Sequence, residues 1–121
     1  MLNCFFVGIG GFIGSVLRYM FGFIPINERG IFPVNTLIIN IIGSLLIGII
    51  IALFIKHVDW DSKILLMLKV GLCGGFTTFS SFSAESLNLI ESGNQVMAIL
   101  YIVLSVILCL IAVCIGQYIV K

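Results

Sequence analysis

Residues 30–55 and 92–120 contain no Asp, Glu, Lys or Arg, and each run exceeds the ~20 apolar residues that cross a bilayer as a helix. Residues 1–17 and 70–84 are also uncharged, and lengthen into spans if the basic chains of Arg18 and Lys69 snorkel to the membrane ends. A chain that is 61% hydrophobic and 9% charged, with a mean hydropathy of +1.31, does not describe a water-soluble domain. The expected fold is all-α, a single four-helix transmembrane domain over 1–121 with helices at about 3–23, 34–55, 62–90 and 95–120. Almost nothing is left over, so function must reside inside the lipid bilayer. A net charge of +1 argues against nucleic acid as a partner.

The third span is unusual. Gly71, Gly74 and Gly75 are poor helix formers, and the hydroxyls of Thr77, Thr78, Ser80, Ser81 and Ser83 compete for backbone hydrogen bonds. One reading is a small-residue packing surface. The other is a helix broken in mid-membrane near 74–79, which survives only where protein covers it or water fills a cavity beside it. Its first half would end in carbonyls that favour a cation. Its second half would begin with N–H groups that favour an anion.

In helix 1, Gly10 and Gly14 lie four apart and form one small-residue face for close helix contact. Arg18 continues that stripe, either as a snorkelling anchor or as positive potential at an aqueous entrance. The first loop holds an acid–base pair, Glu28 and Arg29, read as solvated charge. Helix 2 carries one polar stripe through Thr36, Asn40 and Gly43 or Ser44 to Gly48. A membrane-buried Asn40 amide implies an interhelical hydrogen bond or a pore lining. In the next loop Trp60 suits the headgroup belt, Asp61 or Ser62 can cap helix 3, and His57 is read as surface. Phe79 and Phe82 share a face, with Ser80 and Ser81 between them. They either pack or offer positive ring edges to an anion. Glu85 can face a vestibule or cap a neighbouring element. Helix 4 turns a stripe through Tyr101 and Ser105 toward the interior.

The lack of any nucleophile–base–orienter set argues against enzyme chemistry. Cys4, Cys73, Cys109 and Cys114 form no CxxC pair and read as apolar fillers. The N-terminus lacks the basic region of a cleaved signal peptide. The chain does supply hydrogen-bond donors in an apolar shell, at Asn40, Thr77 or Thr78, Ser80, Ser81, Tyr101 and Ser105, suited to replacing the hydration shell of a small anion. Four helices are too few to enclose a pore and hide a broken segment, so an oligomer is expected.

The segments Gly10-Gly-Phe-Ile-Gly-Ser-Val-Leu-Arg-Tyr19, Asn35-Thr-Leu-Ile-Ile-Asn-Ile-Ile-Gly43 and Gly71-Leu-Cys-Gly-Gly-Phe-Thr-Thr-Phe-Ser-Ser-Phe82 resemble the three motifs of the Fluc (CrcB) fluoride channels. The resemblance covers the whole chain, and its third motif is the most specific. Two departures stand out: Asn35-Thr36 where the family often has Gly-Thr, and Ser80-Ser81 where Ser-Thr is usual. The resemblance implies a passive fluoride exporter of the bacterial inner (plasma) membrane, built as an antiparallel, dual-topology dimer with two pores. It further implies that Asn40, Phe79 and Phe82 line the fluoride path, with Ser80, Ser81 and Ser105 as a polar track. Gly74 and Thr77 would offer backbone carbonyls to a structural sodium ion at the dimer centre, and Arg18 and Glu85 match charged family positions. A small multidrug-type proton antiporter, the rival, needs a buried carboxylate in helix 1, and residues 1–24 hold none. A membrane subunit without transport is the third reading. Lys56, Lys63, Lys69 and Lys121 on one side against Arg18 and Arg29 on the other give only a weak orienting bias.

Overall fold

The computed structural model describes residues 1–27 and 29–121; Glu28, and with it the reading of that side chain as solvated charge, lies outside the described residues. The chain runs α1 (Leu2–Phe21), α2 (Val34–Lys56), α3 (Ser62–Leu66), a π-helical segment (Met67–Cys73), α4 (Gly74–Phe76), α5 (Phe79–Glu91) and α6 (Gln95–Val120). Four stretches are long and apolar enough to cross a membrane: Leu2–Phe21, Val34–Lys56, Ser62–Glu91 and Gln95–Val120. Large apolar side chains such as Phe5, Phe12, Leu110 and Ile119 are more than 60% exposed. In water that surface would drive aggregation; in lipid it is matched. The protein is an all-helical, multi-pass membrane protein.

Local signals set the helix ends. α1 ends at Phe21, two residues before Phe23, because the approach to Pro25 tightens into i→i+3 turns, with Phe23 N–H on the Met20 carbonyl and Ile24 N–H on that of Phe21. Pro33 precedes the first turn of α2, where a missing N–H costs nothing. Asp61 caps α3, its carboxylate accepting from Lys63 N–H at 2.9 Å. The last turn is Ser92-Gly93-Asn94. Gly93 sits at φ 84°, and Asn94 N–H closes back onto the Leu89 carbonyl at 2.8 Å.

Two parallel seams organise the spans. At Gly10 a Cβ would collide with the Met67 carbonyl oxygen, and at Gly14 with that of Leu72, so α1 rises beside the third span backbone against backbone. A Cβ on Gly48 would meet the Val113 carbonyl and one on Gly116 that of Leu45, which brings α2 and α6 together in the same way. At the far end of this second seam Leu37, Leu89, Ala98 and Tyr101 form a small buried cluster, which Phe32, Ile41, Phe82 and Met97 cover. At its near end the Lys56 ammonium donates to the Val120 carbonyl at 3.3 Å. His57 stacks flat on Trp60, their ring centroids 4.4 Å apart.

Candidate functional site

The third span stops at Phe76 and restarts at Phe79. Thr77 (φ −81°, ψ 158°) and Thr78 (φ −147°, ψ 116°) are extended, so the helical hydrogen-bond ladder is interrupted there. An interruption orphans carbonyls on one side and N–H groups on the other, and neighbouring side chains take up several of them. The Cys73 carbonyl accepts from both the N–H (3.0 Å) and the hydroxyl (2.8 Å) of Thr77. The Gly75 carbonyl accepts from Arg18 Nε at 3.1 Å. Asn40 serves Thr78 on both sides, accepting from its N–H at 2.9 Å and donating to its carbonyl at 3.2 Å. The Thr78 hydroxyl in turn accepts from Ser81 N–H at 3.1 Å and caps α5. The carbonyls of Gly74 and Thr77 receive no donor among the described residues.

Beside the interruption lies an open groove of about 370 Å³ between α2, the third span and α6. Asn40, Phe79, Phe82 and Ser105 line it. Phe79 is 79% exposed, and its ring centroid lies 5.5 Å from that of Phe82, which lies 5.2 Å from that of Tyr101. Ser105 is 6% exposed, and its hydroxyl has no hydrogen-bond partner among the described residues. A buried hydroxyl without a partner is rare, because it forfeits hydrogen bonds it had in water. The groove can therefore offer donors and aromatic edges to a small anion.

A family profile described as "CrcB-like protein, Camphor Resistance (CrcB)" matches residues 5–117. The chain belongs to this CrcB family. A protein of Ruminiclostridium cellulolyticum named "Fluoride-specific ion channel FluC" is 43% identical to it, over 100% of this chain and 94% of its own length. Proteins of the same name from Azobacteroides pseudotrichonymphae and Flavobacterium psychrophilum are 40% and 42% identical, over 93% and 100% of this chain and 90% and 98% of their own.

Within this CrcB chain the residues singled out by sequence divide into two groups. Asn40, Phe79, Phe82 and Ser105 meet in the groove, together with Gly74 and Thr77. Ser80, Ser81, Glu85 and Tyr101 lie outside its lining. Ser80 stands within 3.3 Å of the Thr78 hydroxyl, and Ser81 is engaged through its backbone. Tyr101 is fully buried and donates its hydroxyl to Glu85 Oε2 at 2.8 Å, while Thr36 donates to Oε1 at 2.7 Å. Glu85 therefore ties α2, α5 and α6 together, with one hydroxyl on each oxygen. Arg18, for which the sequence leaves open both an anchor and a charge at an aqueous entrance, is half-buried and turns inward to the carbonyl end of the first arm, where a cation offsets the helix dipole. Sequence reasoning missed the place of Lys69 in the groove and the capping role of Thr78. Lys69 is the only charge between residues 64 and 84, and Thr78 stands three residues before Ser81, where a cap belongs.

Among the described residues no cluster of His, Cys, Asp and Glu could hold a metal ion. The carbonyls of Gly74 and Thr77 are oxygen donors, the type that suits a hard cation and not a softer transition metal.

Proposed function

We propose that the protein is a fluoride-selective channel, through which the ion leaves the cell passively across the bacterial plasma membrane and fluoride toxicity is relieved. The Ser105 hydroxyl carries this reading: it is buried and unpartnered among the described residues, on a residue that borders the same groove as the exposed Phe79 ring. Fluoride is small and strongly hydrated, so a narrow path must give back its lost hydrogen bonds with closely set donors. Asn40 keeps its second amide hydrogen for that purpose, Ser105 keeps its hydroxyl, and the edges of Phe79 and Phe82 complete the shell. Ser80, Ser81 and Tyr101 extend the polar track, with Arg18 and Glu85 as the fixed charges nearby. The shared name of the relatives supports the same ion.

The open groove and the exposed Gly74 suit a second copy of the chain laid antiparallel against the first. In that dual-topology homodimer the two interruptions face each other in mid-membrane, and the free carbonyls of Gly74 and Thr77 repel across the two-fold axis. A sodium ion held by these carbonyls offsets the repulsion. The reading is tested with purified protein in liposomes. Fluoride efflux, little chloride efflux and indifference to a proton gradient are expected; equal passage of both halides sinks it.

A further inference from the structure

We propose that Lys69 is the anion-attracting residue of the groove mouth, the side chain that raises local fluoride before the ion reaches Asn40 and Phe79. This assignment rests on the fluoride-channel reading and adds to it the residue that governs entry. Lys69 lines the same groove as those two side chains and is exposed. It stands eight residues before Thr77, on the arm that leads to the interruption. The π-helical winding of Met67–Cys73, with its i→i+5 bonds, brings Lys69 into line with Gly74, which also borders the groove.

The charge inventory gives the residue its role. Among the described residues no other charged side chain, and so no acid, lines the groove. Lys63 is held 3.8 Å from Asp61 and Lys56 donates to the Val120 carbonyl, whereas Lys69 has neither ion pair nor hydrogen bond among the described residues. A single unneutralised ammonium in a concave wall of low dielectric raises the local concentration of anions. Asp61, eight residues before Lys69, is paired with Lys63, and Glu85 is occupied by Thr36 and Tyr101; neither acid lies in the groove lining.

The experiment measures fluoride efflux from liposomes at sub-saturating fluoride for the wild type, Lys69→Arg, Lys69→Gln and Lys69→Glu. Ionic strength is raised from about 0.01 M to about 0.5 M with potassium sulfate, a range over which the screening length falls from ~30 Å to a few ångströms. At low salt Lys69→Arg keeps wild-type flux, Lys69→Gln loses about threefold and Lys69→Glu about tenfold, as one and two units of charge change require at this range. At high salt, or at saturating fluoride, the four converge. Equal flux in all four at low salt overturns the assignment. So does a loss that Lys69→Arg shares and salt does not erase, which marks a packing role. A wild-type flux indifferent to salt overturns it even where no variant folds. A wild type that passes no fluoride at any salt is a different result: it removes the channel reading, and the Lys69 role falls with it.

Discussion

The Asn40 side chain and the Thr78 backbone exchange two hydrogen bonds, 2.9 Å from Thr78 N–H to Oδ1 and 3.2 Å from Nδ2 to the Thr78 carbonyl. A carboxamide carries a donor and an acceptor side by side, as a peptide unit does, so it replaces the two ladder bonds that Thr78 loses when the helix is interrupted. Asn40→Ala strips both partners from a buried backbone and should cost about 2–4 kcal/mol. Asn40→Asp keeps the acceptor but sets a carboxylate oxygen against the Thr78 carbonyl and a negative charge on the ion path. Unfolding in mixed detergent and liposome efflux check the two. Wild-type stability in the alanine variant would show the pairing to be energetically idle.

Phe79 and Phe82 separate packing from conduction. Phe79 is largely exposed, so Phe79→Leu should leave stability within ~0.5 kcal/mol, while Phe82→Leu, against Tyr101, should cost ~1 kcal/mol. Both should slow fluoride roughly tenfold or more, the equivalent of ~1.4 kcal/mol of lost ion stabilisation. Wild-type flux in two folded variants would return the rings to packing alone.

The two hydroxyls on Glu85 should be coupled. Tyr101→Phe and Thr36→Val each remove a donor from the same carboxylate, and each should cost about 1.5–3 kcal/mol, the usual worth of a hydrogen bond to a charged group. Their double variant should deviate from additivity by more than ~0.5 kcal/mol. Thermal unfolding midpoints of the three variants measure this, and strict additivity would mean the carboxylate does not link the helices.

The α1 seam offers a test of close approach. Gly14→Val drives a branched side chain into the Leu72 carbonyl and the Phe76 amide, and should destabilise by ~3 kcal/mol or more, or abolish folding. Phe12→Leu, on an exposed position two residues away, should change little. Expression level and detergent stability of the two proteins distinguish the faces.

Assembly and cation are testable together. A cysteine added at the C-terminus, in a background lacking the native four, should be labelled from both sides of the membrane. Replacing sodium by N-methylglucamine should lower the unfolding midpoint of the dimer. Labelling from one side only, in active protein expressed alone, removes the dual-orientation homodimer.

The spans were legible because charge is excluded from runs longer than a bilayer, and the Gly10–Gly14 contact because spacing alone puts two bare patches on one face. The polar contacts were harder. Asn40 stood out as a buried amide, yet nothing in its own neighbourhood names Thr78, 38 residues away, as its partner. Arg18 stayed open between a membrane-edge anchor and an entrance charge because sequence gives its height and not the direction of its side chain; its carbonyl partner lies 57 residues on. The π-helical winding over Met67–Cys73 had no signature either, since Gly, Leu and Val there suit several helical forms. For that reason the place of Lys69 in the groove emerged only in three dimensions.

The turn at Ser92-Gly93-Asn94 works as a ruler. Phe82 lies ten residues before Ser92 and Ser105 eleven residues after Asn94, so nearly equal arms bring the two residues to one groove. The left-handed Gly93 leaves no slack in which the arms could slide. One residue inserted in either arm would displace its end by ~1.5 Å and turn it by about 100°. Lengthening of the chain is therefore closed to everything between Phe82 and Ser105.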